Sequence, residues 1–277
     1  YPTLAPVFGS LLPPRLPESS GPLIQVTTAA GLTSALDTAA SGSTVEITAN
    51  LDGGGSQLTI SRRNAGNTIT VTQRPGVTIR NFSQWYITGS RLRFRGLDIS
   101  GFTQAGLKVT NTGAGVYADD IEIDRCHIHD GPSGMGILSS KGITKLQVWN
   151  NRIHDVGAVS AGNKDHGLYL SGAGVVVANN LVYHCAAYCI QLYPDAPGII
   201  VVNNTWDDGQ TQPDSRGGLV YGSQGGLETR DGLYVGNVGT YAPQAGCLNP
   251  YLPGPNNRAY DCLGFGNANT DFPANPN

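Results

Sequence analysis

The 277-residue chain holds 38 glycines and 17 prolines, and its 17 Lys+Arg against 20 Asp+Glu leave a net charge of only −3. Glycine at roughly twice its ordinary share, with no excess of helix-forming residues, excludes a coiled coil or helix bundle; without a strict Gly-X-Y period it excludes collagen as well. No run approaches the ~20 apolar residues of a membrane span, and no basic tract points to nucleic acid, so neither a membrane nor a nucleic-acid partner is expected.

The sequence opens at Tyr1 without an initiator Met, which fits a mature, processed form or a segment boundary. Residues 1–22 carry Pro2, Pro6, Pro13, Pro14, Pro17 and Pro22 and read as an extended arm with no core of its own. Leu23-Ile24-Gln25-Val26 follows as a short strand. Thr27 to Ala40 then shows helical spacing at Leu32, Leu36 and Ala39–Ala40, with Thr27 or Thr28 as the cap and Gly42 as the stop. From Thr44 onward nearly everything is short β-branched runs cut by Gly and Asn.

Those runs repeat. Asn150-Asn151-Arg152-Ile153-His154 aligns with Asn179-Asn180-Leu181-Val182-Tyr183 and with Asn203-Asn204-Thr205-Trp206-Asp207. Arg95-Gly96-Leu97-Asp98-Ile99 and Arg125-Cys126-His127-Ile128-His129 fit the frame upstream, and Gly236-Asn237-Val238 fits downstream. A second motif keeps phase with it: Gly106-Leu107-Lys108-Val109, Gly136-Ile137-Leu138-Ser139, Gly167-Leu168-Tyr169-Leu170, Cys189-Ile190-Gln191-Leu192 and Gly218-Leu219-Val220-Tyr221. A third short run, such as Val175-Val176-Val177, closes each unit. Three strands per unit of variable length describe one coil of a right-handed parallel β-helix, where insertions go into loops while strands stay in register. Asn suits the tight bend because it tolerates the left-handed conformation, and stacked amides can bond along a ladder. The expected fold is all-β.

With these repeats, the chain resembles the pectate-lyase-like right-handed β-helix superfamily, over roughly Leu23 to Asn237. The resemblance implies one domain over 23–277, with a capping helix and first coil in 23–47 and a loop-rich cap in 240–277. It also implies strand names: the Asn turn joins the second strand (PB2) to the third (PB3), and the Gly-Leu-Tyr-Leu motif is the first (PB1). Related carbohydrate enzymes work on the outer PB1 face. Alternation puts Leu107, Ile137, Leu168, Ile190 and Leu219 inside, and Lys108, Leu138, Tyr169, Gln191 and Val220 outside.

Chemistry concentrates in Lys164-Asp165-His166-Gly167-Leu168-Tyr169, which ends the loop from Asp155 and runs into PB1; Lys164 is one of four lysines in the chain. Cleaving a uronate sugar by β-elimination needs a base for the C5 proton, a cation for the carboxylate and an acid for the leaving oxygen. His166 can be the base, Lys164 or Lys108 the cation and Tyr169 the acid, with Asp165 orienting the imidazole. The cluster is similar in residue types to that of alginate lyases and epimerases of this fold, although Lys164-Asp165-His166 stands where their Asp-Pro-His would be. The same residues can equally close a loop. Gln191, Tyr193 and Asp195 extend the face as sugar-binding candidates, or as a turn, Tyr193-Pro194-Asp195-Ala196-Pro197.

The expected protein is therefore a secreted, monomeric enzyme acting on a polysaccharide, by β-elimination or epimerisation. The alternatives are a hydrolase pairing Asp165 with Asp195 or Glu228, and a non-catalytic glycan-binding or adhesin module. No cofactor is legible; Ca2+ is the one candidate, and no metal site is assigned. A column of His129, His154, Tyr183 and Asp207 on PB3, flanked by Asp130, Asp155, His184 and Asp208, can share a metal ion or be ordinary solenoid stacking. Arg91, Arg93 and Arg95 read as an outward cationic stripe able to attract an anionic glycan, or as a solvated strand face. Among five cysteines, Cys247 and Cys262 are the candidate disulfide, which favours secretion; Cys185 and Cys189 are the next pair, and Cys126 is left alone.

Overall fold

Residues 12–64, 66–162, 164–207, 217–240, 248–251 and 253–265 are described by the computed structural model of the chain. Short β-branched runs have no room to pair within one repeat, so each pairs in parallel with its counterpart in the next. Among the described residues the strands stack into three parallel sheets of ten, nine and eight members, corresponding to PB2, PB3 and PB1. The result is a parallel solenoid of about eight coils.

The open N-terminal end is covered by the helix Ala29–Thr38. Thr28 caps it, its Oγ1 accepting the Gly31 N–H at 3.0 Å, and Leu32, Ala35 and Leu36 turn inward over the first coil. Gly42, at φ +85°, makes the turn into the strand Thr44–Ile47.

Inside, equivalent positions stack. Leu107, Ile137, Leu168, Ile190 and Leu219 are direct register partners on PB1, all fully buried. Trp85 and Leu58 extend the column one way and Leu248 the other. The outward column is also as expected except at its end, where Val220 is covered.

The Asn pairs divide their labour. The first of each pair, Asn150, Asn179 and Asn203, sits in the left-handed region at φ 54–56° and turns the chain from PB2 to PB3. The second, Asn151, Asn180 and Asn204, is buried with Asn237 in a ladder. Each Nδ2 donates to the next Oδ1 at 2.9–3.0 Å, and the backbone N–H of each donates to the same oxygen. Asn180→Ala would leave the Asn151 amide groups, the Val148 carbonyl and the Asn204 Oδ1 short of partners. At roughly 1–3 kcal/mol per stranded buried group, a loss of at least about 2 kcal/mol is expected; a denaturant midpoint that drops with unchanged slope checks it.

Beyond Asn237 the stacking goes on. Asp261 takes the left-handed position at φ 50°, Cys262 Sγ lies 3.7 Å from Asn237 Nδ2, and the strands Leu248–Tyr251, Arg258–Tyr260 and Leu263–Phe265 add to the three sheets. The stretch read as loop-rich thus carries three further strands. Cys247 lies outside the described residues, and with it the expected bond to Cys262. Cys185 is a free buried thiol, so it is not paired with Cys189. Cys126 is likewise free, and burial pushes its thiol up to about 12, which leaves it unreactive.

The arginine stripe is the main correction. Arg93 is fully buried, not solvated, because the segment from residue 12 to 22 crosses PB2 on top of it. Glu122 accepts from Arg93 Nε at 2.8 Å and from Arg15 at 2.5 Å, Arg93 also donates to the Leu16 carbonyl, and Arg15 lies 4.7 Å above the Trp149 ring. Arg95 pairs with Asp124 and Glu18, while Arg91 breaks the alternation at φ 53° and faces Asp120. Each guanidinium of the stripe already faces a carboxylate, so the three do not stand as a free cationic stripe.

Burial alone would raise the Glu122 carboxyl, but hydrogen bonds from Arg15 and Arg93 outweigh it and hold the group below its ordinary 4.5. A depressed folded-state value contributes stability above the ordinary value that disappears as pH falls through the folded one. The stability gap between the parent and Glu122→Gln should therefore close below about pH 4.5, as read from urea midpoints across an acid series.

Candidate active site on the PB1 face

Outward positions of successive PB1 strands bring Tyr86, Lys108, Leu138, Tyr169 and Gln191 into one register column. All five are half-buried, and Lys108 Nζ lies 5.4 Å over the Tyr86 ring. Beside this column runs a groove of about 340 Å³ lined by Asn111, Tyr117, Leu138, Lys141, Tyr169 and Tyr193. A second hollow of about 400 Å³ lies between Tyr193 and the segment from Ser223 to Glu228. Tyr193 belongs to both, so its ring stands between two concave sites on one face. Three phenol rings and an ammonium group offer a sugar chain apolar faces for stacking and a partner for a carboxylate.

Burial raises the Tyr169 hydroxyl above its ordinary 10.0, and neighbouring Tyr193 adds to the shift. The phenol therefore stays protonated near neutral pH, the state a proton donor needs.

His166 sits one layer beneath. It is 1% exposed, with its ring centroid 5.4 Å from Tyr169 and 5.9 Å from Tyr188, the latter nearly parallel. Nδ1 accepts the Tyr188 backbone N–H at 3.2 Å, which places the proton of a neutral imidazole on Nε2. Asp165 is also buried, and its Oδ2 accepts the Ala158 N–H at 2.9 Å, closing the loop across its base. Gly157, at φ +93°, is required there because a Cβ would come within 2.4 Å of the Asp165 Cβ. Lys164 is exposed on the loop.

Of the eight expected site residues, His166 and Tyr169 are thus brought together, and Lys108, Gln191 and Tyr193 share the face. Asp195 lies past it: its carbonyl accepts from Ser171 Oγ and Gly172 N–H in the turn after PB1. Asp165 and Asp195 stand at opposite ends of PB1, where the strand Tyr188–Leu192 alone spans roughly 13 Å at 3.3 Å per residue. That exceeds the ~5–9.5 Å separation of a catalytic carboxylate pair. Lys141, Tyr117 and Tyr188 escaped the sequence reading. Tyr188 had a legible signal, lying two before Ile190 as His166 lies two before Leu168; Lys141 and Tyr117 come from loops after PB1 strands, which carry no repeat.

The sequence of residues 64–248 matches the model of the right-handed beta helix region. The chain belongs to that family. No curated protein matches the sequence. Among solved structures, the β-helix is similar to an alginate lyase from Paenibacillus sp. str. FPU-7, with a TM-score of 0.62 at 16% identity over 90% of this chain and 96% of that one. It is also similar to the pectate lyase Pel9A, with a TM-score of 0.59 at 13% identity over 93% and 73% of the two chains. At such identities the likeness is one of fold. No helix among the described residues is long and apolar enough to cross a membrane.

Proposed function

We propose that this β-helix protein is a secreted polysaccharide lyase that cleaves a uronate-containing glycan by β-elimination on the PB1 face. The observation that carries the reading is the groove on that face, where the protonated, half-buried Tyr169 stands beside Tyr193, Tyr117 and Lys141. The two solved lyases of the same fold support the class of reaction, not the substrate.

In this mechanism Lys141, with Lys108 on the same face, neutralises the sugar carboxylate and the enolate that forms from it. Tyr169 gives its phenolic proton to the leaving glycosidic oxygen. His166 takes the C5 proton on Nδ1, the nitrogen with the lone pair, which requires the Tyr188 N–H to release it and the sugar ring to enter between Tyr169 and Tyr188, the two rings flanking the imidazole. Asp165 fixes the loop that carries His166.

Elimination creates a conjugated double bond that absorbs in the ultraviolet. Alginate, pectate, glucuronan and glycosaminoglycans offered to the purified protein should include at least one that yields such a product. Reducing ends without that absorbance would replace the reading with hydrolysis, and glycan binding without any product would replace it with a binding module.

A further inference from the structure

Away from the PB1 groove, three imidazoles converge on the outer face of PB3. His127 and His129 lie two apart on the strand His127–Gly131 and so share a face, and His129 is the register partner of His154 one coil on. The rings of His127 and His129 stack at 4.0 Å, and that of His154 lies 4.9 and 5.4 Å from them.

Each imidazole has a carboxylate at its Nδ1, and Asp155 also meets His184 Nδ1 at 3.3 Å. His127 Nδ1 lies 3.3 Å from Asp98 Oδ2, His129 Nδ1 2.8 Å from Asp130 Oδ2, and His154 Nδ1 2.6 Å from Asp155 Oδ2. Asp130 and Asp155 reach their neighbours because both occupy left-handed positions, at φ 51° and 52°, where the chain leaves the strand. An ionised carboxylate only accepts, so each Nδ1 carries a ring proton, which leaves Nε2 as the nitrogen each ring can offer to a metal ion. Those nitrogens have close partners: His127 Nε2 is 2.7 Å from His154 Nε2, and His129 Nε2 is 3.1 Å from Asp98 Oδ1. Groups this close need either a proton or a metal ion between them, and one ion can serve all of them at once. The guanidinium of Arg152, the register partner of His127, is engaged with the Tyr183 hydroxyl and ring.

We infer that His127, His129 and His154, with Asp98 as a fourth ligand, form a binding site for a zinc-class divalent ion. One ligand atom from each histidine lies within 4.8 Å of the others, and a tetrahedral ion with ~2.0–2.1 Å Zn–N bonds needs about 3.4 Å between ligands, a small adjustment. Imidazole selects Zn2+, Cu2+ or Ni2+ over the hard, oxygen-seeking Ca2+. Carboxylates on the far nitrogens are the arrangement that orients metal-bound histidines and raises their basicity. The His127 side chain is 34% exposed, so an ion reaches the site from solvent. Once bound, it would tie three successive coils together, those of Asp98, of His127 and His129, and of His154. The site is independent of the lyase reading, since it lies on a different sheet.

The test uses the whole chain, stripped with a chelator and titrated near neutral pH with Zn2+ alone and with Co2+ as a coloured probe. One equivalent should bind, Co2+ should give the intense visible bands of a tetrahedral site, Zn2+ should displace it, and Ca2+ should not. Zn2+ should raise the melting temperature of the parent. His127→Ala, which truncates a partly exposed ring, should weaken binding by about 100-fold or more, and Asp155→Asn by about 10–100-fold. A cooperatively folded parent that takes up no Zn2+, or a His127→Ala and His154→Ala pair that bind as tightly as the parent, would overturn the assignment.

Discussion

Tyr169→Phe should lower turnover on the responsive glycan by about 10²–10⁴-fold, the usual contribution of a general acid or base. Only the hydroxyl of a half-buried side chain is removed, and it makes no hydrogen bond among the described residues, so the melting temperature should barely move. His166→Ala should reduce turnover over the same range of about 10²–10⁴-fold if the imidazole takes the C5 proton. The two variants differ in their second readout. His166 is buried against Tyr188 and Tyr169 and accepts the Tyr188 N–H, so its truncation also opens a cavity and strands a donor. His166→Gln, which retains an acceptor near that N–H, separates the roles. If His166→Gln recovers the melting temperature and the rate together, the imidazole is packing; if it recovers the melting temperature alone, the imidazole is chemistry. Parent-like rates in both Tyr169→Phe and His166→Ala would remove the proposed mechanism.

Leu168→Asp is expected to be the most destabilising single change in the PB1 stack. Leu168 is fully buried between Ile137 and Ile190, its register partners. Emptying such a site costs ~2–5 kcal/mol as a cavity, and placing an unpaired carboxylate in it adds a desolvation cost of several kcal/mol. Leu168→Met, which conserves volume, should cost less than about 1.5 kcal/mol. Urea unfolding of the pair against the parent measures both, and an Asp variant as stable as the Met variant would place position 168 outside the core. Tyr169 next to it tolerates polar change because alternation turns it to the other face. Adjacent residues thus separate fold from function.

The coil architecture was legible because a solenoid converts sequence alignment into spatial contact. Equivalent residues in successive repeats are direct neighbours, so Leu107, Ile137, Leu168, Ile190 and Leu219 could be stacked on paper and are stacked in the molecule. The same logic found the Asn ladder and the meeting of His129 with His154. What it could not supply is anything contributed by chain that does not repeat. Burial of Arg93 depends on Arg15 and Leu16, some 77 residues away in the case of Leu16, in a proline-rich arm with no partner pattern to align. Lys141 and Tyr117 reach the groove from loops of unrelated length. Periodicity also assigns a side chain to a face but not to a depth, so His166 reads as a groove residue in sequence and lies beneath the surface, covered by a ring from the next coil. Likewise, the carboxylates on His129 and His154 come from left-handed backbone at Asp130 and Asp155, a local bend that turns a side chain back on its neighbour. The sequence by itself determined the fold, its register and the inward column of PB1, because these follow from spacing along one chain. Tertiary structure alone decided which charges are neutralised, how deep the imidazole lies and which way each ring nitrogen points, because those depend on where non-repeating segments come to rest.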